Sequence, residues 1–258
     1  LFDEDIDPIL TGIDTMTEGL STYQRLQNEL SALIENAPKG TKLPSEPKLA
    51  EQLGVSRATL REAMRTFETQ GLLRRRQGLG TFVVGPAQVI ESGLEVLESL
   101  ETLAKKLGLD VALGEHEIVS IQAKEKTARK LNVAAGDPLV QVRRVILTDD
   151  TPVAFLVDIL PQGILDLKKL ESHFTGSVLD ILIHSGDPAL SLSKTEISAI
   201  NAPEDVAKAL DIQRGDTLLL FKGLLYDQEG DPIDYSFSYF LPGYFRLHII
   251  RKIGGVNS

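Results

Sequence analysis

At 258 residues, with 42% hydrophobic and 25% charged side chains, the chain has the composition of a folded globular protein and the length of two domains. No apolar run approaches the roughly 20 residues that cross a bilayer, the amino terminus is acidic where a secretion signal is basic, and the lack of cysteine removes disulfide scaffolds, thiolate metal sites and cysteine nucleophiles together. The formal charge of −10 hides a basic island: residues 21–86 hold ten Lys/Arg against six Asp/Glu, while residues 1–20 carry six acids and no base. Phosphate binding depends on local potential over about a Debye length, so this island can bind DNA although the whole chain is an anion. The expected compartment is the cytoplasm. Because the sequence opens at Leu1 rather than Met, residues are expected to precede it in the natural chain.

In chain order, Asp3, Glu4, Asp5, Asp7, Asp14 and Glu18 make residues 1–20 an acidic tail, either a mobile segment or an arm that competes with phosphates for the basic island. A helix near Tyr23 to Glu35 follows. Residues 45–54 then read as a short helix, capped by Ser45, tolerating Pro47 in its first turn and ended by Gly54. A second helix starts at the N-cap Ser56, with Leu60, Ala63, Met64 and Phe67 on one apolar face. Small Ala50 and the set Leu49, Leu53, Val55, Leu60 and Ala63 let the two helices cross, which is a helix-turn-helix. Such a motif reads the major groove with the amino-terminal residues of its second helix, here Ser56, Arg57, Ala58, Thr59 and Arg61. Next, two strand-like runs joined by Gln77-Gly78 form a β-hairpin wing, which places Arg74, Arg75 and Arg76 beside phosphates and lets the small tip approach a groove. Any one of these signals alone is common on ordinary surfaces. Their order within about forty residues, in the one basic stretch of the chain, points to DNA.

The residues Leu43-Pro44-Ser45-Glu46, Leu53-Gly54-Val55-Ser56-Arg57, Thr59-Leu60-Arg61 and Gln77-Gly78-Leu79-Gly80-Thr81-Phe82-Val83 closely resemble the winged helix-turn-helix of the GntR family of bacterial transcription regulators. The resemblance covers about residues 22–84 and implies base or phosphate contacts from Arg57, Thr59, Arg61 and Gly78. Some members carry an arginine directly after the Ser-Glu pair, where this chain has Pro47, with Lys48 as a partial replacement. The expected reader domain is 21–85.

Beyond Gly85-Pro86, Leu94, Leu97, Leu100, Ala104 and Leu107 suggest one amphipathic helix, and the rest is an internal repeat. Ile118 to Ala123 aligns with Ile197 to Ala202, Ala128 with Ala207, Leu131 with Leu210, Gly136-Asp137 with Gly215-Asp216, Leu139 with Leu218, and Pro152 with Pro232. Each copy reads strand, short helix, strand, turn, strand. Two copies are too few for a solenoid, so the expectation is a pseudo-twofold α+β domain with one antiparallel sheet.

This order resembles the HutC branch of the family, whose effector module is the UTRA domain, a fold similar to chorismate lyase; the expected span is 90–253. The resemblance implies a dimeric repressor responding to a small molecule. The candidate effector residues are Arg144, Leu156, Asp158, Ser177, Asp234, Ser236 and Ser238. Arg144 shares a strand face with Val140, Val142 and Ile146, so its guanidinium needs a buried acceptor, either a structural carboxylate or a ligand anion. Asp234, Ser236 and Ser238 share one face of their strand, opposite Tyr235, Phe237 and Tyr239, and either line a pocket or face water. Where UTRA domains that bind phosphorylated sugars tend to carry a second base, a Glu and a Tyr, this chain has Ile146, Leu156 and Leu179, which implies an effector less polar than a sugar phosphate.

His116, His173, His184 and His248 lack metal-ligand spacing, and no nucleophile elbow or phosphate-binding loop is present, so neither metal nor cofactor is implied. An enzyme of the chorismate lyase-like fold stays as the alternative. The expected partners are a small-molecule effector and an inverted-repeat DNA duplex, read by a homodimer whose recognition helices sit about 34 Å apart.

Overall fold

The computed structural model describes residues 22–76, 78–84, 90–165, 170, 174 and 176–250. They form two compact units, one from residues 22–68 and 72–84 and the other from 69–71 and 90–250. The acidic segment 1–20 and Gln77 lie outside the described residues.

The first unit holds α1 (Thr22–Glu35), α2 (Glu46–Gln52), α3 (Arg57–Thr69), β1 (Leu73–Arg76) and β2 (Gly80–Val83). Leu26, Leu30 and Ile34 recur every fourth residue on α1 and pack against Leu49 and Ala50 of α2 and Leu60, Ala63, Met64 and Phe67 of α3. Gly54 adopts φ +62°, and the N–H of Val55 reaches back to the Ala50 carbonyl at 3.0 Å, so the chain leaves α2 through a left-handed residue. Two residues later the Ser56 hydroxyl accepts the Thr59 N–H at 3.1 Å and starts α3. Ser45 occupies the N-cap position of α2 as expected, yet its side chain makes no capping bond; Glu46 and Pro47 open that helix. The wing has a further backbone partner that the sequence did not signal, an isolated bridge between Lys42 and Phe82. Residues 40–43 pair with β2 through Gly40 N–H to Val83 (2.7 Å), Leu43 N–H to Thr81 (2.8 Å) and Val83 N–H to Thr41 (2.8 Å).

The second unit is a six-stranded antiparallel sheet flanked by short helices. Its elements are β3 (Ile90–Gly93), α4 (Leu100–Lys106), β4 (Ala112–Gln122), α5 (Glu125–Leu131), β5 (Pro138–Thr148), β6 (Thr151–Pro161), α6 (Val178–Ser185), β7 (Leu190–Asn201), α7 (Glu204–Ala209), β8 (Thr217–Asp227), β9 (Pro232–Phe240) and β10 (Phe245–His248). The strand order β4-β5-β6-β9-β8-β7 reads the same from either end once the two copies are exchanged, which is the expected pseudo-twofold sheet. The copies match to the level of single bonds. Asp137 Oδ2 accepts the Ala134 N–H at 2.8 Å and Asp216 Oδ2 accepts the Gln213 N–H at 3.0 Å. Gly136 and Gly215 turn at φ +90° and +91°, and the aligned pairs Ala128/Ala207, Leu131/Leu210 and Leu139/Leu218 are all buried. Helices α5 and α7 seal one face over Tyr235, Val157 and Tyr239. Helix α6 covers Val140, Val142 and Leu160 on the other face.

The helix expected across Leu94 to Leu107 is shorter. Only Leu100–Lys106 is helical, because Ser99 caps it by accepting the Thr102 N–H at 2.9 Å, and Leu97 and Leu107 are exposed. Upstream of it, β3 pairs in parallel with β10, a contact spanning over 150 residues that no local pattern reveals.

Candidate DNA-reading surface and effector site

On the first unit, Ser56, Arg57, Ala58 and Arg61 are exposed at the amino end of α3, Thr59 is half-buried, and Ser45 and Lys48 are exposed on α2. Helix α3 thus offers two arginines and a helix amino terminus, where backbone N–H groups and the helix dipole favour anions. Glu46 organises the surface: its Oε2 meets Arg61 at 2.9 Å and its Oε1 meets Arg75 at 2.7 Å, so one carboxylate ties the reading helix to the wing. The Arg61 side chain stays 55% exposed, and a guanidinium with five N–H donors keeps several free for a second acceptor. Arg76 is exposed and stacks over Phe82 at 5.9 Å. Arg74 corrects the expectation. It is only 8% exposed, with Nε and Nη1 sealed from solvent, so β1 is buried at Leu73 and Arg74 and opens to solvent only toward Arg76. Three arginines in a row cannot all face one way on a strand. Gly78 turns at φ +75° with no atom within 4 Å of where a Cβ would stand, so the wing tip can approach a ligand closely.

On the second unit, Arg144, Leu156, Asp158, Asp234, Ser236 and Ser238 come together on the sheet face that α6 partly covers. The register sets this: Leu156 lies opposite Arg144 on β5 and opposite Ser238 on β9, and Asp158 lies opposite Ser236. Arg144 is 5% exposed and donates from Nη1 to Asp158, so of the two acceptors expected for it the structural carboxylate is present; its Nε has no hydrogen-bond partner. Asp234 is buried and accepts the Ile159 N–H at 3.1 Å, so it does not face water, while Ser236 and Ser238 are half-buried. Burial, then the charge of Asp158 and a hydrogen bond to it, push the Asp234 carboxyl well above the usual range, which favours its protonated form. Arg144, Asp158 and Asp234 thus form one buried relay.

Above this face two helix starts interlock. Ser177, 2% exposed, accepts the Asp180 N–H at 3.0 Å to cap α6, and Ser99, the cap of α4, donates to the Asp180 carboxylate at 2.7 Å. In the first turn of α4 both carboxylate oxygens of Glu101 are sealed from solvent without a hydrogen-bond partner. Desolvation raises the pKa of this carboxyl, and the Arg144 charge opposes the rise. Gly176 turns at φ +114° beside it, and a Cβ there would meet Glu101 Oε1 at 3.1 Å. The Phe174 ring lies 6.0 Å from the Arg144 guanidinium and 5.7 Å from His116. One aromatic ring, a guanidinium N–H without a hydrogen-bond partner and a carboxyl without one thus stand on this side of the sheet, groups that a small polar molecule would satisfy. Among the described residues no group of histidine and carboxylate side chains could hold a metal ion.

Residues 22–83 match the gntR family of bacterial regulatory proteins, and residues 101–246 match the UTRA domain. The chain belongs to the GntR family, in its UTRA-bearing HutC branch. The HTH-type transcriptional repressor NagR of Bacillus subtilis is 30% identical over 216 residues, 83% of this chain and 88% of that one. The histidine utilization repressor of Pseudomonas aeruginosa is 27% identical over 205 residues, 78% and 79% of the two chains. The crystal structure of PhnF from Mycobacterium smegmatis superposes with a TM-score of 0.59 at 25% identity, covering 89% of this chain and 100% of that one. The protein is therefore a DNA-binding transcription regulator with an effector-binding domain.

Sequence reasoning missed Glu101, Phe174, Gly176 and Gly223 of this regulator. One signal was available for the last. The repeat places Gly223 where the first copy has Arg144, and in the structure a Cβ on Gly223 would stand 2.5 Å from the Ser236 hydroxyl. The two copies thus differ where the site lies.

Proposed function

We propose that the protein is a homodimeric repressor that binds an inverted-repeat operator through α3 of each copy and releases it when a small molecule occupies the Arg144 site. Exposed Arg57 and Arg61 at the amino end of α3, within the basic island, carry this reading. Its contact set is Ser45, Lys48, Ser56, Arg57, Ala58, Thr59, Arg61, Arg75, Arg76 and Gly78, without Arg74. Repression is supported by the names of two relatives, NagR and the histidine utilization repressor. The reading is of a binder rather than a catalyst, acting on DNA in the cytoplasm.

The effector is a ligand less polar than a sugar phosphate. Asp158 already neutralises Arg144, so an incoming dianion would compete with that carboxylate and meet Glu101 and Asp180 nearby. The coupling between effector and operator is about 1 to 3 kcal/mol, a typical span for allosteric proteins. The test is selection of duplexes from a random pool, followed by anisotropy titration across salt and a metabolite screen for operator release. A recovered inverted repeat, with affinity falling steeply with salt, supports the reading; a pool that stays random refutes it.

A further inference from the structure

Glu46 opens α2, 15 residues before Arg61, yet its carboxylate lies against the reading helix and the wing at once. The way it holds Arg61 is specific. Glu46 Oε2 accepts from Arg61 Nε at 3.3 Å and from Nη2 at 2.9 Å. Those two N–H groups form one edge of the planar guanidinium, so the contact fixes the plane as well as the charge. The other edge, Nη1 with the second N–H of Nη2, is a fork of donors with no partner among the described residues. A fork of that kind reads O6 and N7 of guanine in the major groove. Oε1 is taken by Arg75 Nη2 at 2.7 Å, and the Glu46 side chain is 17% exposed, so the carboxylate is held from both sides.

Arg57, one turn earlier on α3, offers the contrast: it is exposed and has no carboxylate partner among the described residues. A long side chain free in water loses rotamer freedom when it docks, whereas one already held in a fixed plane loses less. The same carboxylate also subtracts charge from the basic surface. Glu46, Arg61 and Arg75 together carry one net positive charge, where the two arginines alone would carry two.

We propose that Glu46 is a positioning residue for sequence reading: it presents the free fork of Arg61 to a base, which raises discrimination between operator and unrelated DNA and lowers affinity for duplex in general. The inference rests on the reading of Arg61 as a base contact. The experiment uses the full chain, the operator recovered by duplex selection, and a random duplex of equal length, titrated by anisotropy across salt. Glu46→Gln removes the charge at nearly constant size. Affinity for the random duplex rises about fivefold or more near about 0.1 M salt, and the salt slope steepens by about one charge. The operator-to-random ratio falls about tenfold, as the loss of one oriented base contact requires. A second selection with Glu46→Gln loses base preference at one position per half-site and keeps the others. Arg75→Ala leaves the pair between Glu46 and Arg61 in place and keeps the ratio. In an Arg61→Ala background Glu46→Gln lowers the ratio no further, because the residue through which it acts is gone. A damaged reader loses both duplexes together, so the gain on random DNA separates orientation from misfolding. An Arg61→Ala chain that keeps the wild-type ratio refutes the base-contact reading itself. That reading survives and the positioning role is overturned by any of four results: an unchanged ratio in Glu46→Gln, an equal loss on both duplexes, a ratio lowered as much by Arg75→Ala, or a further fall in the Arg61→Ala background.

Discussion

Replacing Asp234 by asparagine tests the buried relay directly. Asp234 accepts the Ile159 N–H at 3.1 Å and, in the protonated form that its raised pKa favours, donates to Asp158, which in turn receives Arg144. An asparagine reproduces both roles, with its carbonyl toward Ile159 and its amide N–H toward Asp158. A hydrogen bond to a charged group contributes about 1.5 to 3 kcal/mol, and a buried N–H left without an acceptor costs about 1 to 3 kcal/mol. Asp234→Asn is therefore expected within about 1 kcal/mol of wild type at pH 7, and Asp234→Ala about 3 kcal/mol or more below it. For a unit of this size that loss is a fall of about 6 to 12 °C in Tm, readable by calorimetry. The pH dependence carries a sign as well. A carboxyl whose folded pKa is raised binds more protons folded than unfolded, so wild-type stability falls as pH rises from the ordinary Asp range through the raised value. Asparagine lacks that slope, and the variant gains on wild type across the same window. If Asp234→Asn were as damaging as Asp234→Ala at pH 7, Asp234 would be ionised in the fold and the relay as described would be wrong.

The DNA surface yields two contrasting expectations. Arg57→Ala costs about 1 to 3 kcal/mol per half-site on the selected operator with little change on random duplex, as a bidentate base contact does; an equal loss on both refutes a base-reading role. Arg75→Ala or Arg76→Ala weakens binding to every duplex and lowers the salt slope by about one charge, whereas Arg74→Ala lowers the melting temperature of the reader and leaves the slope unchanged. A slope change for Arg74→Ala would contradict its burial. In the effector domain Glu101→Gln removes a carboxyl whose ionised form is disfavoured by burial. Its stability relative to wild type rises as pH climbs above the ordinary Glu range, followed by thermal melts from pH 4 to 8; a relative fall would mean that Glu101 is stabilised by its charge.

Much of this architecture could be read in one dimension because its causes are local. The Gly54 turn, the Ser56 cap and the 3.6-residue spacing of Leu60, Ala63, Met64 and Phe67 lie within a few residues of one another, and backbone sterics and one apolar stripe suffice to place them. The repeat likewise revealed the sheet, since two sequences with the same alternation and the same left-handed turns at Gly136 and Gly215 fold the same way. Tertiary structure decided the rest, where contacts join residues distant in the chain. No pattern near Ile90 announces a strand whose partner is Phe245, and nothing near Leu94 says that Ser99 starts the helix because it also holds Asp180, 81 residues on. Arg74, Arg75 and Arg76 look equivalent as letters, yet the folded chain buries one and ties another to Glu46. Arg144, Asp158 and Asp234 of the effector site were visible in the sequence. Their proton affinities were not, because the Asp234 carboxyl is pushed up only when folding brings Asp158 beside it and removes the water that would otherwise solvate both.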